Sequence, residues 1–342
     1  MELEERHSQR TRSIYIDNAC GLCIINMIFA VHLPNWTDYS PIPIRFYSDA
    51  LFFFMFWFFF KGGVFFHAKP LKKSILQDLR RFIIPYAIFN AIGIANELIH
   101  ACLTGSYNSG WWVGELYTIK DFQCCWTSMA CWFLLSYFIV KVVYTSLHGR
   151  VHPMTVFLIG VALSFGLYLH KEGVANFGVL DAYLKKVPYW VGNISIGLSL
   201  FSLGHLLRNL QYNRTVLTVA ILCLVIHFLY PSSIDMRANV CERGFYLPAV
   251  LSGIAGCIVL NNISRWVLDR EIRVLTYVGR NSMIFYLSHY PAVVILLSYT
   301  KEYMMQFSSG IQYCLLSAYL LLVFVISIEL HKFPRMRFIF GE

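Results

Sequence analysis

The chain has 342 residues, of which 57% are hydrophobic and only 14% charged, against roughly 25% charged in a soluble domain. A core of this size cannot hide that much apolar surface, so it must face lipid, which excludes a soluble globular enzyme. The net charge of +9 is scattered in short clusters between apolar runs, so it reads as membrane topology, and no nucleic acid is expected as a partner.

A hydrocarbon core about 30 Å thick takes about 20 apolar residues per helix. Runs of that kind lie at 14–33, 47–67, 82–103, 126–146, 154–170, 189–207, 216–231, 244–262, 275–297 and 310–331. The expected fold is all-α, a polytopic transmembrane helical bundle of about ten spans. One set of gaps holds Arg6, Arg10, Arg12; Lys69, Lys72, Lys73, Arg80, Arg81; Arg150; Arg208, Arg214; Arg265, Arg270, Arg273; and Lys332, Arg335, Arg337. The alternating set holds far fewer cations, so the positive-inside rule makes the first set cytoplasmic and puts both termini there. The chain then divides into a cytoplasmic segment 1–13, a transmembrane domain 14–331 and a cytoplasmic tail 332–342. No small-residue cleavage site follows the first run, which reads as a retained helix. The outer connections 104–125 and 171–188 have the composition of a lid or re-entrant segment. Most cysteines lie inside apolar runs as small hydrophobes; Cys102 and Cys241 could meet outside, but no disulfide is expected.

Ionisable groups at membrane depth are costly unless they face protein or water. In the first run, Asn18, Gly21, Ile25, Phe29 and His32 share a stripe at 3.6-residue spacing. His32 lies roughly 27 Å beyond Ile14, near the outer boundary. In the ninth run Arg280, Asn281 and Ser282 open the cytoplasmic side. Ser282, Tyr286 and His289 share a face, with His289 about 21 Å beyond Leu275. Two histidines at similar depth suggest one polar chamber, although each also has a plain reading as an interfacial or helix-bridging residue. Lys61 interrupts Phe58–Phe60 and precedes Gly62 and Gly63. It either snorkels to headgroups or holds an anion, with the glycines admitting a ligand or another backbone. Lys73, Arg80 and Arg81 belong to a dense basic cluster that serves lipid headgroups or would grip a phosphorylated ligand.

In chain order, the segments YIDNACGLCIINMIFAVH, FWFFFKGGVFF, LRRFIIPYAIF, CWFLLSYF, VPYWVGNISIGLSLFSLGHLLRN and LTYVGRNSMIFYLSHYP resemble signatures of the acyltransferase-3 family of integral membrane O-acyltransferases. Three departures stand out. Cys20 occupies the position of the family's usual basic residue before Gly21, the spacing to His32 is one residue longer than usual, and Lys61 stands where the family often has Ser. The resemblance implies transfer of an acyl group, usually acetyl, from cytoplasmic acyl-CoA to a hydroxyl of a glycan or lipid-linked sugar. Acetyl-CoA would then be the donor and polysaccharide O-acetylation the outcome.

On that reading His32 is the general base and His289 a second catalytic residue that lines the path or polarises the carbonyl. Lys61, Lys73, Arg80, Arg81, Arg280, Asn281 and Ser282 are the expected donor contacts. Arg45 and Asp49 at the outer mouth, with Trp132, are the expected acceptor contacts, though surface topology explains Arg45 and Asp49 equally. No zinc-ligand spacing, phosphate loop or Ser-His-Asp pattern competes, and no metal is expected. A transporter or flippase of an anionic lipid or sugar precursor is the alternative, with Lys61 and the histidines as substrate or proton sites. The expected location is a bacterial inner (plasma) membrane, and a homodimer stays open.

Overall fold

The computed structural model describes residues 13–108, 110–174, 178 and 181–342. The expected segment 1–13, with its three arginines, lies outside the described residues apart from Ser13, as does part of the 171–188 connection.

The first apolar run forms α1 (Ile14–Ile25), which widens into a π-helical segment (Asn26–His32) and continues as α2 (Leu33–Thr37). Asp38 in the left-handed conformation, φ 50°, stops it. Next come α3 (Ile42–Ala50), α4 (Phe54–Val64) and α5 (Leu71–Asp78). A second π segment (Leu79–Ile83) leads into α6 (Ile84–Leu103). The 104–125 connection contains a helix, α7 (Trp111–Phe122), ended by Gln123 at φ 65°. A 3-10 turn (Trp126–Cys131) then enters α8 (Trp132–Leu147). The chain continues through α9 (Pro153–Lys171), α10 (Trp190–Leu207) and α11 (Arg214–Leu229). Side-chain caps start two of these: Nδ1 of His152 accepts from Met154 N–H at 3.2 Å, and Oδ1 of Asn213 from Thr215 N–H at 2.8 Å.

An antiparallel hairpin, β1 (Ser233–Asp235) and β2 (Val240–Arg243), precedes α12 (Tyr246–Val267). Then follow α13 (Arg273–Arg280), α14 (Ser282–Met304) and α15 (Ser309–Lys332). Among the described residues, nine helical stretches are long and apolar enough to cross a membrane. The seventh run, α11, has 16 residues, roughly 24 Å of helix. It nonetheless joins the two faces of the bundle. Before it, the Tyr15 and Tyr212 hydroxyls meet at 3.3 Å on the basic face; after it comes the hairpin at the opposite end, where Lys171 donates to the carbonyl of Ala238 at 2.5 Å.

The ninth run is interrupted. Asn281, at φ −103° and ψ 24°, separates α13 from α14. His289 therefore sits seven residues beyond Ser282, roughly 10 Å, and the longer distance from Leu275 does not hold. The short helix α13 lies along α1, where added Cβ atoms on Gly21 and Gly279 would run into the backbones of Leu275 and Asp17. Lipid tails are as apolar as leucine, so close packing and internal hydrogen bonds must drive association here. At the centre, Trp57, Phe59 and Phe60 of α4 are fully buried. Nε1 of Trp57 donates to Asn261 at 2.8 Å, and Asn261 to Gln211 at 2.8 Å. The glycine pair of the second run divides its roles: Gly63 lets the Phe201 backbone approach, as Gly204 does for that of Phe60, while Gly62 faces the side chain of Tyr137. All ten cysteines are free thiols.

Candidate active site

His32 closes the first π segment. A π turn takes an i→i+5 bond and one extra residue per turn, and such turns recur at functional sites. The N–H of Leu33 donates to the carbonyl of Ile28, five residues back. This insertion ends the 3.6-residue stripe expected from Asn18 to His32. Asn18 instead ties α1 to the basic face, donating to the carbonyls of Leu268 and Arg270 at 2.7 and 2.8 Å and accepting from Thr276. His32 turns towards α14.

There Nδ1 of His32 lies 2.8 Å from Nε2 of His289, with the two rings 9° from parallel. Nδ1 of His289 is 2.8 Å from the carbonyl of Tyr286 and 3.2 Å from that of Phe285. A carbonyl only accepts, so this nitrogen carries the proton, and in a neutral pair the tautomers of both rings follow. Nε2 of His289 accepts, Nδ1 of His32 donates, and Nε2 of His32 keeps a free lone pair. Among the described residues that nitrogen has no hydrogen bond. His289 is fully buried while His32 is partly exposed, so the ring with the free lone pair is the more accessible of the two. Trp36, one turn beyond His32, and Tyr290, beside His289, close on the pair with ring centroids 5.7 and 5.3 Å from His32.

Towards the basic face lies a cavity of about 160 Å³, below the roughly 300–1,000 Å³ of a site for a whole ligand. It suits a slim arm, not a nucleotide. Lys61, Arg81 and Lys141 line it with Ile24, Met55, Phe58, Phe82 and Phe133, and Ser282, Tyr137 and Tyr286 add polar atoms. Tyr286 joins the two parts, since its ring lines the cavity while its carbonyl fixes His289. The expected face of Ser282, Tyr286 and His289 thus runs from the cavity to the histidine pair.

Three expected donor residues (Lys61, Arg81 and Ser282) line this cavity, and four do not. Lys73 and Arg80 are exposed beside it. Arg280 lies 3.2 Å from the buried carboxylate of Asp17 and 3.9 Å from Glu271. Asn281 donates to the carbonyl of Tyr277 at 2.9 Å and forms the helix break. Lys61 does not snorkel away. Its ammonium lies 4.7 Å from the Trp57 ring and 3.8 Å from Sγ of Cys20, so two of the three departures touch. Lys141 went unnoticed in the sequence, although a lysine inside LLSYFIVKVVY is as anomalous as Lys61; it is 2.6 Å from Asp78.

Arg45 and Asp49 stand exposed on α3, and among the described residues neither has a hydrogen bond or ion pair to the histidines. Trp132 is buried, its ring edge-on to Phe133 of the cavity wall. The hairpin contributes Arg237, which sequence reading left unassigned. Its guanidinium is 5.7 Å from the Phe122 ring and 3.5 Å from Asp235, and its carbonyl accepts from Asn193 at 3.3 Å.

A polytopic bundle with a tautomer-defined histidine pair above a cation-lined cavity is a membrane enzyme site in outline. A family model described as an acyltransferase domain, Acyl_transf_3, matches residues 13–329. The chain belongs to the acyltransferase-3 family. No curated protein and no solved structure matches it.

Proposed function

We propose that this membrane acyltransferase moves an acyl group, acetyl by expectation, from cytoplasmic acyl-CoA to a hydroxyl of a glycan or lipid-linked sugar at the outer face. The single observation that carries the reading is the 2.8 Å contact between Nδ1 of His32 and Nε2 of His289, next to the cation-lined cavity. The acceptor hydroxyl gives its proton to Nε2 of His32 while its oxygen attacks the thioester carbonyl carbon. The carbon–sulfur bond breaks, the proton passes to the leaving thiolate, and an ester and a free CoA thiol remain. His289 holds the His32 ring in the right tautomer and shares the charge that forms, as the orienting member of a triad does.

The donor's acyl-pantetheine arm would occupy the cavity beside Met55, Phe58 and Phe133, with its phosphates at the mouth near Lys61, Arg81 and Lys141. Arg matches phosphate bidentately, and ammonium groups over aromatic rings tolerate partial desolvation. Trp36 and Tyr290 give the acceptor sugar apolar faces beside the base. The placement in a bacterial plasma membrane and the polysaccharide acceptor belong to the same proposal, as do the sidedness and the bilayer lipids as the surrounding partner.

The test is CoA thiol release from acetyl-CoA by purified protein, with and without a cell-surface glycan extract. The expected result is acceptor-dependent release by wild type that falls roughly 10²–10⁴-fold in a folded His32→Ala variant, the range of general-base catalysis. Equal release by both proteins would remove His32 from the chemistry. No release by wild type from any acyl-CoA would favour substrate translocation.

A further inference from the structure

On the reading that the cation-lined cavity receives acyl-CoA, we propose that the segment following α15 braces the donor mouth, with Phe340 and Gly341 as positioning residues for Arg81. Sequence reading made 332–342 a tail, but its residues fold back. Phe333 is extended, Pro334–Phe340 form a 3-10 helix, and this helix packs against α6, α14, α15 and the π segment Leu79–Ile83. That π segment carries Arg80 and Arg81, and Arg81 and Phe82 line the cavity.

Two side chains, Phe340 and Glu342, hold the brace. Phe340, 5% exposed, lies 6.4 Å from Phe89 of α6 and 5.8 Å from His331. Glu342 reaches Nε2 of His331 at 2.9 Å, which closes the fold-back onto the end of α15. Between them Gly341 adopts φ 82°, and an added Cβ would strike the carbonyl of Arg81. The approach is therefore backbone to backbone, in a conformation that glycine alone takes without strain.

Arg81 needs an outside support. A π segment departs from the α-helical ladder, and among the described residues no carboxylate pairs with Arg81. Its neighbours across the cavity are held otherwise: Lys141 by Asp78 and Lys61 by the rings of Trp57 and Phe58. Arg81 has the ring of Phe82, 5.6 Å away, but Phe82 belongs to the same π segment, so the place of Arg81 depends on the turn beneath it, and Gly341 lies on that turn. A guanidinium moved by about 1 Å loses the alignment that bidentate phosphate binding requires.

The test is CoA affinity by titration calorimetry on the full chain in detergent, with acyl-CoA kinetics alongside. Phe340→Ala and Gly341→Ala are expected to raise the CoA Kd and the acyl-CoA KM about tenfold with kcat within about twofold, and Phe340→Leu to recover most of the affinity. An exposed neighbour, Phe333→Ala, should behave as wild type. Monodispersity on size exclusion identifies the folded variants, and Gly341→Ala serves if Phe340→Ala does not fold. Wild-type affinity in both positioning variants would overturn the brace while leaving the donor site standing. A wild type that binds no CoA would overturn both.

Discussion

The proposed mechanism assigns different tasks to two chemically identical side chains, His32 and His289. Truncating His32 removes the base. Truncating His289 leaves the base but frees its ring, so His289→Ala should lose less, roughly 10–100-fold in kcat, with acyl-CoA KM little changed. A His289→Ala loss as large as that of His32→Ala, or one confined to KM, would contradict this division. Arg280 gives a contrasting case. Its contact with Asp17, which is 1% exposed, makes it a fastener of α13 to α1. Arg280→Ala should therefore lower the thermal midpoint by several degrees, because it removes a cation beside a buried carboxylate. CoA affinity in that variant should stay at the wild-type level; a tenfold weaker Kd would return Arg280 to the donor site. The histidines were legible because an ionisable group at membrane depth stands out in any apolar run. The contact between Lys61 and Cys20 was not, because it joins residues 41 apart through a helix crossing that no local pattern encodes.

Helix boundaries show where periodicity stops being informative. All ten apolar runs correspond to helices, since span length is set by bilayer thickness and reads directly from composition. The break at Asn281 was hidden because apolar residues on both sides of it read as one run. The helix α7 was hidden inside a connection read as a lid. The π segment had a sequence trace: one extra residue before His32. A π turn absorbs such a residue, so the segment holds His32 against His289 despite the longer spacing. Removing Phe29, at the middle of the segment, should let the helix relax to α register, with a folded protein that keeps activity to within about tenfold. The same-sized deletion at Ala19, in regular α1, rotates everything beyond it by about 100° and should abolish activity. Equal loss from both deletions, measured by acceptor-dependent CoA release from monodisperse protein, would sink this account of the π turn.

At the scale of the whole molecule, the ends of the bundle differ in charge and content. Lys72, Arg81 and Arg208 mark one face, and the hairpin with α7 the other. The positive-inside rule assigns the first to the cytoplasm. Cysteines introduced as Lys72→Cys and Asp49→Cys test this with a membrane-impermeant maleimide on intact cells. Asp49→Cys should gain labelling over the native background, and Lys72→Cys only after permeabilisation; the reverse pattern would invert the topology. The class of the fold was readable from composition, because no soluble solution exists for so apolar a chain. The fold-back of Pro334–Phe340 was not, because a short basic stretch after a span reads as topology whether or not it packs.

The central claim is that an acyl group crosses from a donor at the basic face to a hydroxyl at the other. It is tested most directly in sealed proteoliposomes of fixed orientation, with acetyl-CoA at the basic face and a glycan extract in the opposite compartment, by mass spectrometry of the recovered glycan. The account predicts O-acetyl esters with wild type and a loss of about two orders of magnitude or more with His32→Ala. Esters formed only when donor and acceptor share the basic-face compartment, or formed equally by both proteins, would contradict it.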